Sequence, residues 1–298
     1  MRVLLLAAML VAAPATAATR YEPVGEWTLS TGGQGCTLIR RFAAGDIPLT
    51  MTMQRLHPGH EVYYGLFGPA IARQAAMVEA GFEPATALGG YEQVADAAIA
   101  GQKGLLFVGH PFPETTEAPN PGLTPEERQA RYDGLLNAAQ TFVARNVGKE
   151  TLRLATGPMA EPLARLDACL DGKLAALGVS EEVRRAAVTS PQAVELDRWA
   201  HKIRAVYPPD MLRQGRSADV AVRLIVGPDG RVAHCTSLVR LTASQFNDAA
   251  CQTMTEHARF APARDAEGRP VTGLYLTRIR YQIAPAFEVG ADGRRVGK

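Results

Sequence analysis

The sequence predicts an α+β chain, a helix-on-sheet unit followed by a smaller β-β-α-β unit, and three observations carry that reading. Short apolar runs broken by Gly-rich connections fill the first part of the chain and read as strands. A stripe of Met159, Leu163, Leu166, Leu170, Leu174 and Leu177, spaced four, three, four, four and three, reads as one helix face. Past residue 207, two strands, a helix and a last strand follow in that order. With 298 residues, 47% of them hydrophobic and 21% charged, the composition is globular. At ~100–200 residues per domain, that length fits two domains.

The first segment reads as a secretory leader over residues 1–17. Arg2 is its charged end, Val3 to Ala13 is an unbroken apolar run, and Ala15-Thr16-Ala17 fits a small-x-small cleavage site. Pro14 ends the run well short of the ~20 residues that a spanning helix needs. The mature chain is therefore expected to start near Ala18, outside the cytoplasm.

Residues 18–188 form the proposed N-terminal α+β domain. The runs 26–30, 36–42 and 49–55 are joined by Thr-Gly-Gly-Gln-Gly and Ala-Gly-Asp-Ile-Pro, which suit hairpin connections. Residues 62–67 and 104–108 are further strand candidates, and the Pro-rich, acidic stretch 110–125 reads as an exposed loop. The helix carrying the Leu stripe spans 158–177, with Pro158 suited to its first turn and Gly178 just past its end. Residues 189–206 read as a helical linker, 207–285 as the second domain and 286–298 as a flexible tail.

Export favours disulfides for an even cysteine count. Cys36, Cys169, Cys235 and Cys251 allow three pairings, and no Cys-x-x-Cys suggests a zinc ribbon or a redox site. Cys36–Cys169 with Cys235–Cys251 is favoured because each pair then stays inside one proposed domain.

Charge and motifs bound the chemistry. With 32 basic and 30 acidic side chains, bulk charge does not indicate a nucleic-acid partner. From Ala200 onward there are 15 Lys/Arg against nine Asp/Glu, leaving 17 and 21 before it, so the two units differ in sign. His57-Pro58-Gly59-His60 brings two imidazoles near each other, but Pro-Gly between them reads as a surface turn and no third ligand accompanies them. The Gly-rich stretch 31–35 lacks the Lys-Ser/Thr end of a phosphate loop. Gly-x-Ser-x-Gly and His-Glu-x-x-His motifs are absent from the sequence. Glu181 and Glu182 sit at a helix start, where the dipole favours acids. The expectation is a non-enzymatic protein with no catalytic residues, no metal and no cofactor.

The second unit is the more informative. Val220, Val222, Leu224 and Val226 alternate with Ala221, Arg223 and Ile225, and Gly227-Pro228-Asp229-Gly230 is a tight turn into a returning strand over 231–240. Thr242 or Ser244 caps a helix to about residue 258, with Phe246, Ala249, Ala250 and Met254 inward. Residues 274–283 make the last strand, with Tyr275, Ile279, Tyr281 and Ile283 on one face and Leu276, Arg278, Arg280 and Gln282 on the other.

The run Tyr207-Pro208-Pro209-Asp210-Met211-Leu212, the hairpin Val226-Gly227-Pro228-Asp229-Gly230-Arg231-Val232, and Arg259-Phe260-Ala261-Pro262-Ala263 with Gly268-Arg269-Pro270-Val271 resemble the C-terminal domain of the TonB family. The resemblance runs in the family's order from about Ala200 to Pro285. It implies a periplasmic domain whose last strand offers its edge to the TonB box, an extended periplasmic segment of an outer-membrane transporter, by strand addition. The matching positions are Leu274, Tyr275, Leu276, Thr277, Arg278, Ile279, Arg280 and Tyr281. The arginines also resemble ordinary edge protection.

An energy transducer of this family carries a membrane anchor that engages a proton-driven inner-membrane motor, and a long Pro-rich spacer. A cleavable leader and a compact extra domain are expected here instead. The primary expectation is a periplasmic binding module. An energy transducer whose leader stays in the membrane is the alternative, and an enzyme docked by its TonB-like domain is a third reading. A homodimer through sheet edges is compatible with the family, although no residue singles it out.

Overall fold

The computed structural model describes residues 18–32, 35–84, 88–92, 94–116, 122–238, 244–283, 288–289 and 295–296. The expected leader and Thr242 lie outside them. The protein is mixed helix and strand, and it divides into two compact units. The first comprises 1–28, 38–53 and 60–163, and the second 29–37, 54–59 and 164–298. The division falls inside the long helix, between residues 163 and 164, and two segments of the N-terminal half, 29–37 and 54–59, belong to the second unit.

The chain opens with strands that supply most of the first unit, the ends at 29–30, 36–37 and 54–55 belonging to the second. They are β1 (Ala18–Ser30), β2 (Cys36–Ala44), β3 (Ile47–Arg55), β4 (Val62–Phe67), β5 (Val78–Glu83), β6 (Gly89–Tyr91), β7 (Val94–Ile99) and β8 (Gln102–Gly109), then α1 (Pro125–Ala138), β9 (Thr141–Arg145) and β10 (Thr151–Leu154). The ten strands form one sheet in the order β6-β5-β9-β10-β1-β2-β3-β4-β8-β7. β1 and β10 run parallel from Ala18 opposite Thr151 to Tyr21 opposite Leu154. Burial of aromatic rings drives this unit. Tyr64 lies between Phe107 at 5.2 Å and Phe142 at 5.3 Å, and Phe82 meets Phe142 at 5.0 Å. Each such buried side chain is worth about 1.5–3 kcal/mol.

Sequence reading found β2, β3, β4 and β8 and the second half of β1, but not β5, β6, β7, β9, β10 or α1. α1 falls partly within the stretch read as an exposed loop. Its start is fixed by a capping box in which Thr124 accepts from the Glu127 amide and Glu127 accepts from the Thr124 amide, with Pro125 in the first turn.

The chain continues through α2 (Ala160–Ala175), α3 (Glu181–Ala186), β11 (Ala187–Thr189), β12 (Gln192–Val194), α4 (Leu196–Ala205) and α5 (Pro209–Arg213). α2 ends in a Schellman motif: the Val179 amide donates to the Leu174 carbonyl at 3.0 Å, the Gly178 amide donates to the Ala175 carbonyl at 3.0 Å, and Gly178 has φ +78°. The linker is not one helix. Gln192–Val194 is drawn into a strand against residues 259–261, and helix begins only at Leu196.

The TonB-like part follows as β13 (Ala218–Val226), β14 (Val232–Ser237), α6 (Ser244–His257), β15 (Arg259–Ala261), β16 (Ala263–Asp265), β17 (Pro270–Val271) and β18 (Gly273–Tyr281). β19 (Glu288–Val289) pairs with β20 (Arg295–Val296) within the expected tail. The element order strand, strand, helix, strand is present, with three small strands between the helix and β18. The sheet order is β14-β13-β18, all antiparallel.

The central strand of this sheet, β13, is covered on both faces. Val220, Val222, Leu224 and Val226 share a buried cluster with Phe246, Ala250 and Met254 of α6 and with Trp199, Ile203, Met211 and Phe260. The opposite face of β13 is buried too. Ile225 packs with Leu170, Leu174 and Val179, and Leu274 adds to that cluster. Arg223, on the same face, is only 2% exposed.

Candidate partner-binding strand

β18 is held at the sheet edge by nine consecutive pairings with β13, from Ala218 opposite Tyr281 to Val226 opposite Gly273. The hydrogen-bonding parity follows from one contact. Ala221 accepts a bond from the Leu238 amide at 2.8 Å, so the odd residues of β13 direct their peptide groups at β14 and the even ones at β18. Residues 273, 275, 277, 279 and 281 of β18 therefore bond to β13. The even residues, 274 to 280, aim their N–H and C=O groups away from the sheet. Among the described residues no other strand pairs with that edge.

The side chains divide in the same way. Ile279 and Tyr281 are core residues, and Tyr275 meets Phe260 at 4.7 Å. Tyr281 lies 5.0 Å from Phe246 and 5.6 Å from Tyr207. Burial pushes its phenol up to about 12, and among the described residues its hydroxyl makes no hydrogen bond. On the other face Leu276 is 46% exposed, and Arg278 and Arg280 are exposed. Arg280 pairs with Asp219, directly opposite on β13, at 3.7 Å. Of the eight positions singled out by sequence, Leu276, Arg278 and Arg280 thus present side chains outward, while Ile279 and Tyr281 anchor the strand.

The elements behind β18 are stapled. Cys235 of β14 is bonded to Cys251 of α6, which fixes the helix on the sheet. Cys36 is bonded to Cys169, with Cα atoms 6.1 Å apart, tying the start of β2 to α2. Both pairings are those favoured from the sequence. The hairpin tip is locked as well: Gly230 has φ +74°, and its carbonyl accepts from the Phe260 amide at 2.9 Å. A Cβ at residue 230 would collide with the Phe260 carbonyl.

Sequence reasoning missed Arg223. An arginine at an alternate position of a strand reads as a solvent-facing group, but its guanidinium donates to the Leu56 carbonyl and, at 3.5 Å, to the Thr236 hydroxyl. Burial lowers its pKa.

The two histidines of the 57–60 segment serve separate contacts. His57 Nδ1 lies 2.9 Å from the Pro58 carbonyl oxygen, and His60 stacks on Tyr132 with ring centroids 3.7 Å apart. Among the described residues no three His, Cys, Asp or Glu side chains are grouped to hold a metal ion. None of the described helices is long and apolar enough to cross a membrane.

Residues 203–283 match the family model described as Gram-negative bacterial TonB protein C-terminal. No curated protein matches the chain. The matched segment begins within α4 and ends just past β18, so the two-faced sheet, α6 and the edge strand all lie inside it. Residues 203–283 are thus a TonB C-terminal domain.

Proposed function

We propose that this protein is a non-enzymatic, periplasmic TonB-like protein that serves transport across the envelope by binding an extended segment of an outer-membrane transporter. The observation that carries this reading is the position of β18. In a domain of the TonB family, the last strand lies at the sheet edge with the even-numbered peptide groups from 274 to 280 directed outward. An added strand takes its affinity from those main-chain groups and its selectivity from the alternating side chains. Titrating the protein with a TonB-box-like peptide tests this reading. Amide shifts concentrated in β18 are expected, and shifts confined elsewhere at saturating peptide would refute it.

The leader decides between a binding module and an energy transducer, since force transmission needs an anchor that engages an inner-membrane motor. The apolar run ended by Pro14 favours cleavage. We therefore expect a mature chain starting near Ala18 in the soluble periplasmic fraction, measured by N-terminal sequencing after fractionation. An intact Met1 in the inner membrane would point to the transducer instead.

A further inference from the structure

If β18 is a docking edge, the side chains along its exposed flank describe what it takes, and the following inference rests on that reading. Leu274, Leu276, Arg278 and Arg280 share one face of the strand. Their neighbours directly across β13 are Ile225, Arg223, Ala221 and Asp219. The flank therefore has an apolar end at Leu274 and Leu276 and a cationic end at Arg278 and Arg280. Asp219 is the sole carboxylate in these two rows, and it already faces Arg280.

A strand added beyond β18 sets one residue opposite each of Arg280, Arg278 and Leu276, with its side chain on the same face and Cβ atoms about 4.5–5.5 Å apart. We infer that the segment bound at β18 carries two acidic side chains, two residues apart, opposite Arg280 and Arg278, and an apolar side chain two residues further on, opposite Leu276. Read along the partner this is acidic-x-acidic-x-apolar if the added strand runs antiparallel, and the reverse if it runs parallel. A second copy of the chain fits less well. In a symmetric edge-to-edge pairing across residues 274–280, each arginine meets another arginine or a leucine and never a carboxylate, and like charges directly opposite are destabilising.

The test uses the whole protein and extended hexapeptides in both orders, each made with Glu, Gln or Lys at the two charged positions. One order with Glu is expected to bind about three- to tenfold tighter than its Gln counterpart, with Lys weakest and with shifts in the β18 amides. The preference should fade at high salt. It should vanish in the Arg278→Gln/Arg280→Gln double variant and survive in the Lys double variant, both melting close to the wild type because exposed ion pairs such as Arg280–Asp219 contribute little. If Glu and Gln peptides bind equally and both shift β18, the charge inference fails while docking at β18 stands. If no peptide shifts β18, docking there fails and the inference falls with it. Shifts of β18 that grow with protein concentration alone would assign the edge to a second copy and overturn the acidic partner.

Discussion

Arg223 on β13 donates a guanidinium hydrogen bond to the backbone carbonyl of Leu56, 167 residues earlier in the chain. That bond fastens the face of the TonB-like sheet opposite α6 to the end of β3, while Ile225 beside it packs on Leu170, Leu174 and Val179. A domain cut at residue 203 would lose both partners of this face. Arg223→Ala leaves the Leu56 carbonyl buried without its donor, and a cost of about 2–4 kcal/mol is expected by urea unfolding. A loss below about 0.5 kcal/mol would show that the contact is not made in solution.

The disulfides should contribute unequally. Cys235–Cys251 closes a 16-residue separation and Cys36–Cys169 one of 133. In the chain-entropy model these are worth about 3 and about 5 kcal/mol. Replacing each pair by Ala and comparing unfolding midpoints checks the order, and a smaller loss for the Cys36–Cys169 pair would contradict it.

Gly230 is needed for the β13–β14 hairpin on two counts, its φ of +74° and the proximity of the Phe260 carbonyl. Gly230→Ala is expected to cost about 2–3 kcal/mol, more than the ~1 kcal/mol of a left-handed Ala alone. The control is Gly268→Ala, at φ +76° with open space around its Cβ, which should show only the smaller penalty.

Asp265 should titrate abnormally. Burial acts to raise its pKa, but bonds from the Arg269 side chain and amide, at 2.8 Å each, and from the Glu267 amide at 3.1 Å outweigh it, and the net shift is downward. A carboxyl depressed in the folded state stabilises above its unfolded pKa of about 3.9, and that stability is lost as pH falls through the lower folded value. Carbon-detected titration of the Asp265 carboxyl should give a midpoint below that of an exposed aspartate. A midpoint at or above it would exclude these bonds.

The β13, β14, α6 and β18 frame was legible because each of those elements announces itself locally, whereas α5 and the short strands β15, β16 and β17 carry no periodicity of their own. The turn residues 227–230, the alternation of β13, and the spacing of Phe246, Ala250 and Met254 all agree with the final structure. The first unit was less legible for physical reasons. β7, Val-Ala-Asp-Ala-Ala-Ile, holds mostly weak strand formers, and its place comes from pairing with β8. α1 buries only Tyr132 and Leu136, so it has no apolar stripe; its capping box, Thr124 to Glu127, was the signal available. Gln192–Val194 looked like helix because its strand partner lies some 65 residues away. At the candidate site, the pattern gave the strand and its two faces. Neither the outward parity of residues 274 to 280 nor the burial of Arg223 could be read without the register.

Amide hydrogen exchange along β18, with and without a saturating TonB-box-like peptide, tests the central claim most directly. Strand addition predicts that protection rises at the even-numbered amides from 274 to 280 that bond to the added strand, while those of Tyr275, Thr277 and Ile279, already bonded to β13, change little. Unchanged exchange at Leu274, Leu276 and Arg280 with peptide bound would contradict it.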